Sequence, residues 1–266
     1  MILSSPTEVA FELFNVKIYF YGIILALAVF VGFCTAYQAY KNYYNQNCDV
    51  DKFFDFSPIL IVIGLIGARL YFCSLNFSYY SNHPFEIFDF REGGLSIHGM
   101  IVFGLMALFF CAKYYHLNFW KILDCFLLGT PLAQAIGRWG NFFNNEAYGL
   151  PHEGLIKLFI PEGLRPYEFK HFEYFHPTFL YESILNFIIF IILLILFKKM
   201  SKNPGLISAV YFILYGIVRL FIEQLRVDSA LNINGIPIAQ IASVFLIFTG
   251  IITILLKTKS HNIYSK

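Results

Sequence analysis

Residues 177–197 read Pro-Thr-Phe-Leu-Tyr-Glu-Ser-Ile-Leu-Asn-Phe-Ile-Ile-Phe-Ile-Ile-Leu-Leu-Ile-Leu-Phe, and Lys198-Lys199 follow at once. Glu182 is the sole charged side chain in that run. A helix of this length rises about 30 Å, the thickness of the hydrocarbon core of a bilayer. The rest of the chain is of the same kind. Of its 266 residues 58% are hydrophobic, 20% aromatic and only 14% charged. A soluble domain carries about 25% charged residues, so this chain cannot hide its apolar surface in one core and lipid is its solvent. Comparable spans fall at about 18–38, 57–75, 96–114, 119–137, 177–197, 205–223 and 237–256, each roughly long enough to cross a bilayer. The expected fold is all-α: a polytopic membrane protein of seven transmembrane helices forming a single domain over 1–266. The first span is too long for a signal-peptide core, has no Lys or Arg before Lys17, and is expected to stay in the mature protein.

The basic residues orient the spans. The segments after spans one, three, five and seven hold Lys41, Lys52, Lys113, Lys121, Lys198, Lys199, Lys202, Lys257, Lys259 and Lys266. The opposite side holds Lys17, Arg69, Arg91, Arg138, Lys157, Arg165, Lys170, Arg219 and Arg226. The numbers nearly balance, but the kinds do not. Lysines gather in short loops, as on a cytoplasmic face, and every arginine lies on the other side. This places the N-terminus outside, the C-terminus in the cytoplasm, and an external loop at about 138–176. The net charge of +2 and the absence of a basic stripe give no sign of nucleic acid as a partner. Cys34, Cys48, Cys73, Cys111 and Cys125 form no C-x-x-C or zinc pattern and read mostly as small buried hydrophobes, so no metal is expected.

Polar groups at membrane depth are costly and therefore informative. Residues 135–149 read Ala-Ile-Gly-Arg-Trp-Gly-Asn-Phe-Phe-Asn-Asn-Glu-Ala-Tyr-Gly, which sets Arg138, Asn141, Asn144, Asn145 and Glu146 where an apolar span meets a loop. Arg219, Glu223 and Arg226 are spaced by four and three, which puts them on one helical face. Gly93-Gly-Leu-Ser-Ile-His98-Gly99 opens span three, Tyr21-Gly22 lies early in span one, and His176-Pro177 and Tyr181-Glu182 open span five. By the proposed topology all of these face one side of the membrane. Arg69 and Arg91 read as interfacial arginines that snorkel to the headgroups. Two or three guanidinium groups at headgroup depth suit a phosphate, and a nearby histidine suits proton transfer. Spacing alone reaches a membrane enzyme acting on phospholipid or an anion transporter. A structural membrane protein is a third reading, but it expects polar groups spread through the bundle. A transporter expects internal repeats, and none is visible.

At these residues the chain resembles the bacterial prolipoprotein diacylglyceryl transferases. The likeness runs through Tyr21-Gly22, Gly93 to Gly99, Gly137 to Phe142 with Glu146 and Gly149, His176 to Glu182, and Arg219 to Asp228. It implies a seven-helix enzyme of the bacterial cytoplasmic (inner) membrane that needs no cofactor. The implied reaction moves the diacylglyceryl group of phosphatidylglycerol to the lipobox cysteine thiol in a prolipoprotein signal peptide. That forms a thioether and releases glycerol phosphate, the first step of lipoprotein maturation. The resemblance implies that His98, Arg138 and Arg219 are catalytic, and that Arg138, Tyr21, Asn141, Glu146, Gly149, Glu223 and Arg226 bind substrate. A thiol is only partly ionised near neutrality, so a base helps, and His98 is the candidate. Met100, Asn145 and Leu150 depart from the common family pattern. Residues 150–175 are weakly patterned and receive no role.

Overall fold

The computed structural model describes residues 1–44, 50–89, 93–227, 232–233 and 235–264; Cys48, Arg91, Asp228 and Lys266 lie outside the described residues. The long helices are α1 (Phe20–Tyr43), α2 (Val50–Leu75), α4 (Ile97–Tyr114), α5 (Phe119–Phe143), α6 (Thr178–Met200), α7 (Leu206–Glu223) and α8 (Ile238–Tyr264), with a single turn, α3 (Phe77–Tyr80), after α2. Each of the seven long helices takes in one of the expected spans, apart from one or two residues at the start of five of them. Six of them are long and apolar enough to cross a membrane: α1, α2, α4, α6, α7 and, over Ile238–Thr258, α8. These mark a multi-pass membrane protein. The helix α5 is 25 residues long, but Lys121, Asp124 and Arg138 lower its hydropathy and it is not among the six. Outward-facing side chains such as Phe30, Ile195, Phe245, Phe248 and Leu256 are each more than half exposed. Water does not tolerate apolar patches of that extent.

The chain divides into two compact units, Met1–Ala39 with Asp124–Lys266, and Tyr40–Leu123. In the first, α7 packs on both α6 and α8. Its start is built from a distance. Gly205, with φ of 103°, precedes α7 and offers no side-chain cap. The Asp124 carboxylate, fully buried in α5, takes that role: Oδ2 accepts from the Gly205 N–H at 2.7 Å, and Oδ1 from the Ser208 N–H at 2.8 Å and hydroxyl at 2.6 Å. A carboxylate at a helix N-terminus satisfies orphan N–H groups and complements the helix dipole. In the second unit α2 packs on α4.

The first unit also contains short strands that an all-α expectation omits. β2 (Val9–Leu13) and β3 (Val16–Tyr19) form a hairpin ahead of α1, with Glu12 opposite Lys17. Its two turn residues, Phe14 and Asn15, have φ of 49° and 62°, the left-handed pair that a tight hairpin demands. β1 (Ile2–Leu3) pairs in parallel with β4 (Lys157–Phe159), which pairs antiparallel with β5 (Tyr174–Phe175). A third small pair joins β6 (Asn232–Ile233) to β7 (Ile236–Pro237). The weakly patterned segment is therefore ordered around a small core of Tyr148, Leu158, Ile160, Phe175 and Phe179. Three of the four described cysteines, Cys73, Cys111 and Cys125, are buried as expected, but Cys34 is exposed; all four are free thiols.

Candidate active site

The helix α5 continues six residues past its expected end at 137, so Arg138 and Asn141 stand inside its last turns and not at the mouth of a loop. Hydropathy falls there, but the helix persists because its polar side chains find partners. Arg138 Nη2 lies 2.5 Å from Glu182 Oε2 on α6. Arg219 on α7 reaches the other oxygen of the same carboxylate, Nη1 to Oε1 at 3.4 Å, and its Nη2 lies 2.6 Å from Glu223 Oε2, one turn on. Arg226 Nη1 sits 4.0 Å from Glu182 Oε1. Three helices and the segment after α7 thus converge on one carboxylate whose side chain is 3% exposed. The three arginines keep between 13% and 19% of their surface accessible.

The rest of the α5 terminus extends this network. With its amide oxygen toward Arg138, Asn141 accepts from Nη1 at 3.3 Å and donates to Glu146 Oε1, also at 3.3 Å. Asn144 is 3.5 Å from the same Glu146 oxygen. Left-handed backbone at Asn145 and Ala147, φ 51° and 57°, turns the chain back after the helix. Tyr21, in the first turn of α1, lays its ring on Gly140; a Cβ there would stand 2.9 Å from the ring. Tyr21 lies within electrostatic reach of both Glu146 and Arg138.

Gly149 has a different task. Its N–H donates to the His176 carbonyl at 2.9 Å, and it forms an antiparallel bridge with Arg226. A Cβ at this position would stand 2.7 Å from both His176 Cβ and the Leu225 carbonyl oxygen. Only glycine lets the loop, the entry to α6 and the exit of α7 come this close, and that contact fixes the backbone from which Arg226 projects. Gly149 acts through its missing side chain.

His98 belongs to the second unit, exposed in the first turn of α4, with its ring 6.1 Å from that of Tyr71. The loop before it is held by Arg69, which is 4% exposed and does not snorkel, contrary to expectation. Its Nε donates to the Ile87 carbonyl at 3.0 Å, Nη2 to Glu86 at 2.6 Å, and Nη1 to Gly93 and Gly94 at 2.7 and 3.2 Å. The guanidinium is planar and rich in donors, so it can collect carbonyls from two loop segments at once. Outside the charged network, His152 and His176 stack with ring centroids 3.7 Å apart, and His176 Nδ1 is 3.4 Å from the Tyr181 hydroxyl. Burial and the neighbouring His152 hold the His176 pKa below the usual histidine value.

The structure therefore gathers Tyr21, Arg138, Asn141, Glu146, Gly149, Arg219, Glu223 and Arg226 in the first unit, with His98 in the second. Sequence reasoning sets Glu182 among the polar groups of the site's side but assigns it no role, and reads Arg69 only as interfacial. The signal for Glu182 is its isolation, a lone carboxylate in an apolar span, which is costly unless it has partners. Arg69 has no such signal, because backbone carbonyls of a loop leave no pattern. Three guanidinium groups face three carboxylates, so the network is close to neutral. Arg138 and Arg219 each carry five N–H donors, more than the two carboxylates they face can engage.

The family model described as prolipoprotein diacylglyceryl transferase matches residues 8–256. A protein of Clostridioides difficile (strain 630) is 43% identical over 256 residues, covering 96% of this chain and 97% of its own length. A protein of Synechocystis is 39% identical over 251 residues, with 92% and 87% covered. One of Finegoldia magna is 38% identical over 245 residues, with 92% and 93% covered. All three carry the name phosphatidylglycerol–prolipoprotein diacylglyceryl transferase.

Proposed function

The chain belongs to the prolipoprotein diacylglyceryl transferase family, and from that premise we propose how its residues carry the reaction. It is a transferase of lipoprotein biosynthesis, moving the diacylglyceryl group of phosphatidylglycerol to a prolipoprotein. In the proposed chemistry the acceptor is the lipobox cysteine of the precursor's signal peptide. Its thiolate attacks the glycerol carbon that bears the phosphate. A C–S bond forms, the C–O bond to phosphate breaks, and glycerol phosphate leaves with the electron pair. His98 takes the thiol proton.

Negative charge grows on the leaving phosphate, and Arg138 and Arg219 stabilise it as preorganised donors. The observation that carries this reading is their convergence on the two oxygens of Glu182. Glu182 fixes the spacing between the guanidinium groups, and Glu223 holds the plane of Arg219. Tyr21, Asn141, Glu146, Gly149 and Arg226 shape the substrate site around them. The nucleophile comes with the other substrate, so this chain needs no reactive cysteine of its own.

The lysine distribution supports α5 as a seventh membrane crossing, the N-terminus outside and the C-terminus in the cytoplasm. The whole of 1–266 then acts as one domain in the bacterial inner membrane, its arginines at the outer leaflet. Purified protein incubated with phosphatidylglycerol and a lipobox peptide tests the proposal. Mass analysis should find the diacylglyceryl adduct on the peptide cysteine with wild-type protein. The yield should fall sharply with Arg138→Lys or Arg219→Lys, which keep charge but lose the planar fork. An unmodified peptide with wild-type protein, or full activity in both variants, would overturn it.

A further inference from the structure

The helix α6 carries a further buried polar group that the reaction as described does not use. Asn186 is 1% exposed, and among the described residues neither its Nδ2 nor its Oδ1 has a hydrogen-bond partner. Polar groups at this level of the bundle are otherwise engaged: the Ser183 hydroxyl donates to the Ala135 carbonyl at 2.8 Å, and the Tyr211 hydroxyl to Gln134 Oε1 at 3.2 Å. From Phe187 to Phe197 every side chain of α6 is apolar, so Asn186 is its last polar group before the hydrocarbon. Lipid tails cannot satisfy an amide, so its burial is costly unless a ligand does.

The position of Asn186 narrows the ligand. It stands four residues beyond Glu182 on the same helix face, about 6 Å further along the axis. With the phosphate of a glycerophospholipid at the arginines, its glycerol and acyl esters extend inward. Five bonds lead from phosphorus to the carbonyl carbon of the nearer ester, a reach of roughly 6 Å when extended, since a zigzag of bonds about 1.5 Å long advances about 1.25 Å per bond. An amide N–H suits a carbonyl oxygen, and that oxygen is the last polar atom of the lipid before its tails.

Resting on the reading of phosphatidylglycerol as substrate, we infer that Asn186 Nδ2 donates a hydrogen bond to an acyl ester carbonyl of the bound lipid, which makes Asn186 a specificity-determining residue for diester over diether lipid. The ester travels with the transferred group, so the same bond holds the lipidated product.

The test is a substrate-by-variant cycle. Wild-type, Asn186→Leu and Asn186→Ala proteins are each assayed with diacyl phosphatidylglycerol and with its dialkyl ether analogue, which lacks the carbonyls. Leucine is close to asparagine in size and alanine is smaller, and neither offers a donor. Wild-type protein should prefer the diester by roughly 5- to 30-fold in kcat/KM, the range for one buried hydrogen bond. Each variant should lose a comparable factor on the diester and use the two lipids equally. The ratio within each protein cancels general damage to the fold. Equal use of both lipids by wild-type protein would give Asn186 to an internal water and overturn the inference. So would a preference that survives in the variants, because another group would then read the ester. Failure of wild-type protein to transfer even from the diester would instead sink the functional reading itself.

Discussion

Replacing Glu182 by glutamine keeps the size of the side chain and removes one of two acceptors. In the native site Oε2 serves Arg138 at 2.5 Å while Oε1 serves Arg219 at 3.4 Å. Glutamine puts an NH₂ at one of these places, and an NH₂ cannot accept from a guanidinium. Whichever way the amide settles, one arginine faces a donor and moves. Arg219 retains Glu223 at 2.6 Å, whereas the remaining described anchor of Arg138 is Asn141. The amide should therefore settle with its oxygen toward Arg138, the closer pair, and Arg219 should swing toward Glu223. Losing one charge-assisted bond costs about 1.5–3 kcal/mol, which corresponds to roughly 10- to 150-fold in kcat/KM if the displaced arginine works in the transition state. The assay is the initial rate of diacylglyceryl transfer to a fluorescent lipobox peptide, with Arg138→Lys, Glu182→Gln and the double variant side by side. The double variant should recover at least about 1 kcal/mol of the summed single losses, because both changes damage one arrangement. Additivity within about 0.5 kcal/mol, or activity of Glu182→Gln within twofold of wild type, would refute the idea that this carboxylate sets the arginines.

Other outcomes follow from the same description. His98→Gln should leave KM for phosphatidylglycerol near its wild-type value and lower kcat by about 10²–10⁴-fold; a raised KM with unchanged kcat would make His98 a binding residue. A cysteine placed at Glu162 should react with an impermeant reagent added outside cells, and one placed at Lys202 should not; the reverse pattern would invert the topology. The fold holds His176 below the usual histidine pKa, so between the two values the unfolded chain binds more protons than the folded one. Its contribution to stability is thus complete above about pH 6.5 and lost as pH falls through the lowered value. The unfolding midpoint in detergent should drop on acidification, and His152→Phe, which keeps a stacked ring but removes the neighbouring imidazole, should reduce that drop.

Hydropathy found a span on each long helix, six of them apolar enough to cross a membrane, because composition decides which segments lipid accepts. It misplaced the end of α5, since a scale that scores residues singly cannot see that Arg138 has Glu182 to face. The charged site was legible where partners share a helix. The spacing of Arg219 and Glu223 announces their ion pair, and the crowding from Arg138 to Glu146 announces a cluster. What joins the two groups comes from a third helix and has no spacing to read. The hairpin ahead of α1 was hidden because Phe14-Asn15 lacks the glycine that usually marks such a turn. Arg69 was misjudged for a related reason. An arginine at a span's end ordinarily reaches for headgroups, but here the carbonyls of Glu86, Ile87, Gly93 and Gly94 are nearer.

The cap that Asp124 places on α7 also sets a clock. The carboxylate and the Gly205 N–H it holds are 81 residues apart, and a ribosome adding about 5–20 residues per second separates their synthesis by roughly 4–16 s. Throughout that interval the nascent chain holds an acid whose native donors do not yet exist. Asp124 is only five residues beyond Phe119, where α5 begins; on the proposed topology that end lies beside the lysine-rich face, and the young helix is expected to wait with its acid in the headgroups until α7 arrives. On that expectation Arg138, at the other end of α5, comes into register only after α7 is made. Nascent chains halted before residue 205 should hold α5 shallow by cysteine labelling, and Asp124→Asn should let it seat early.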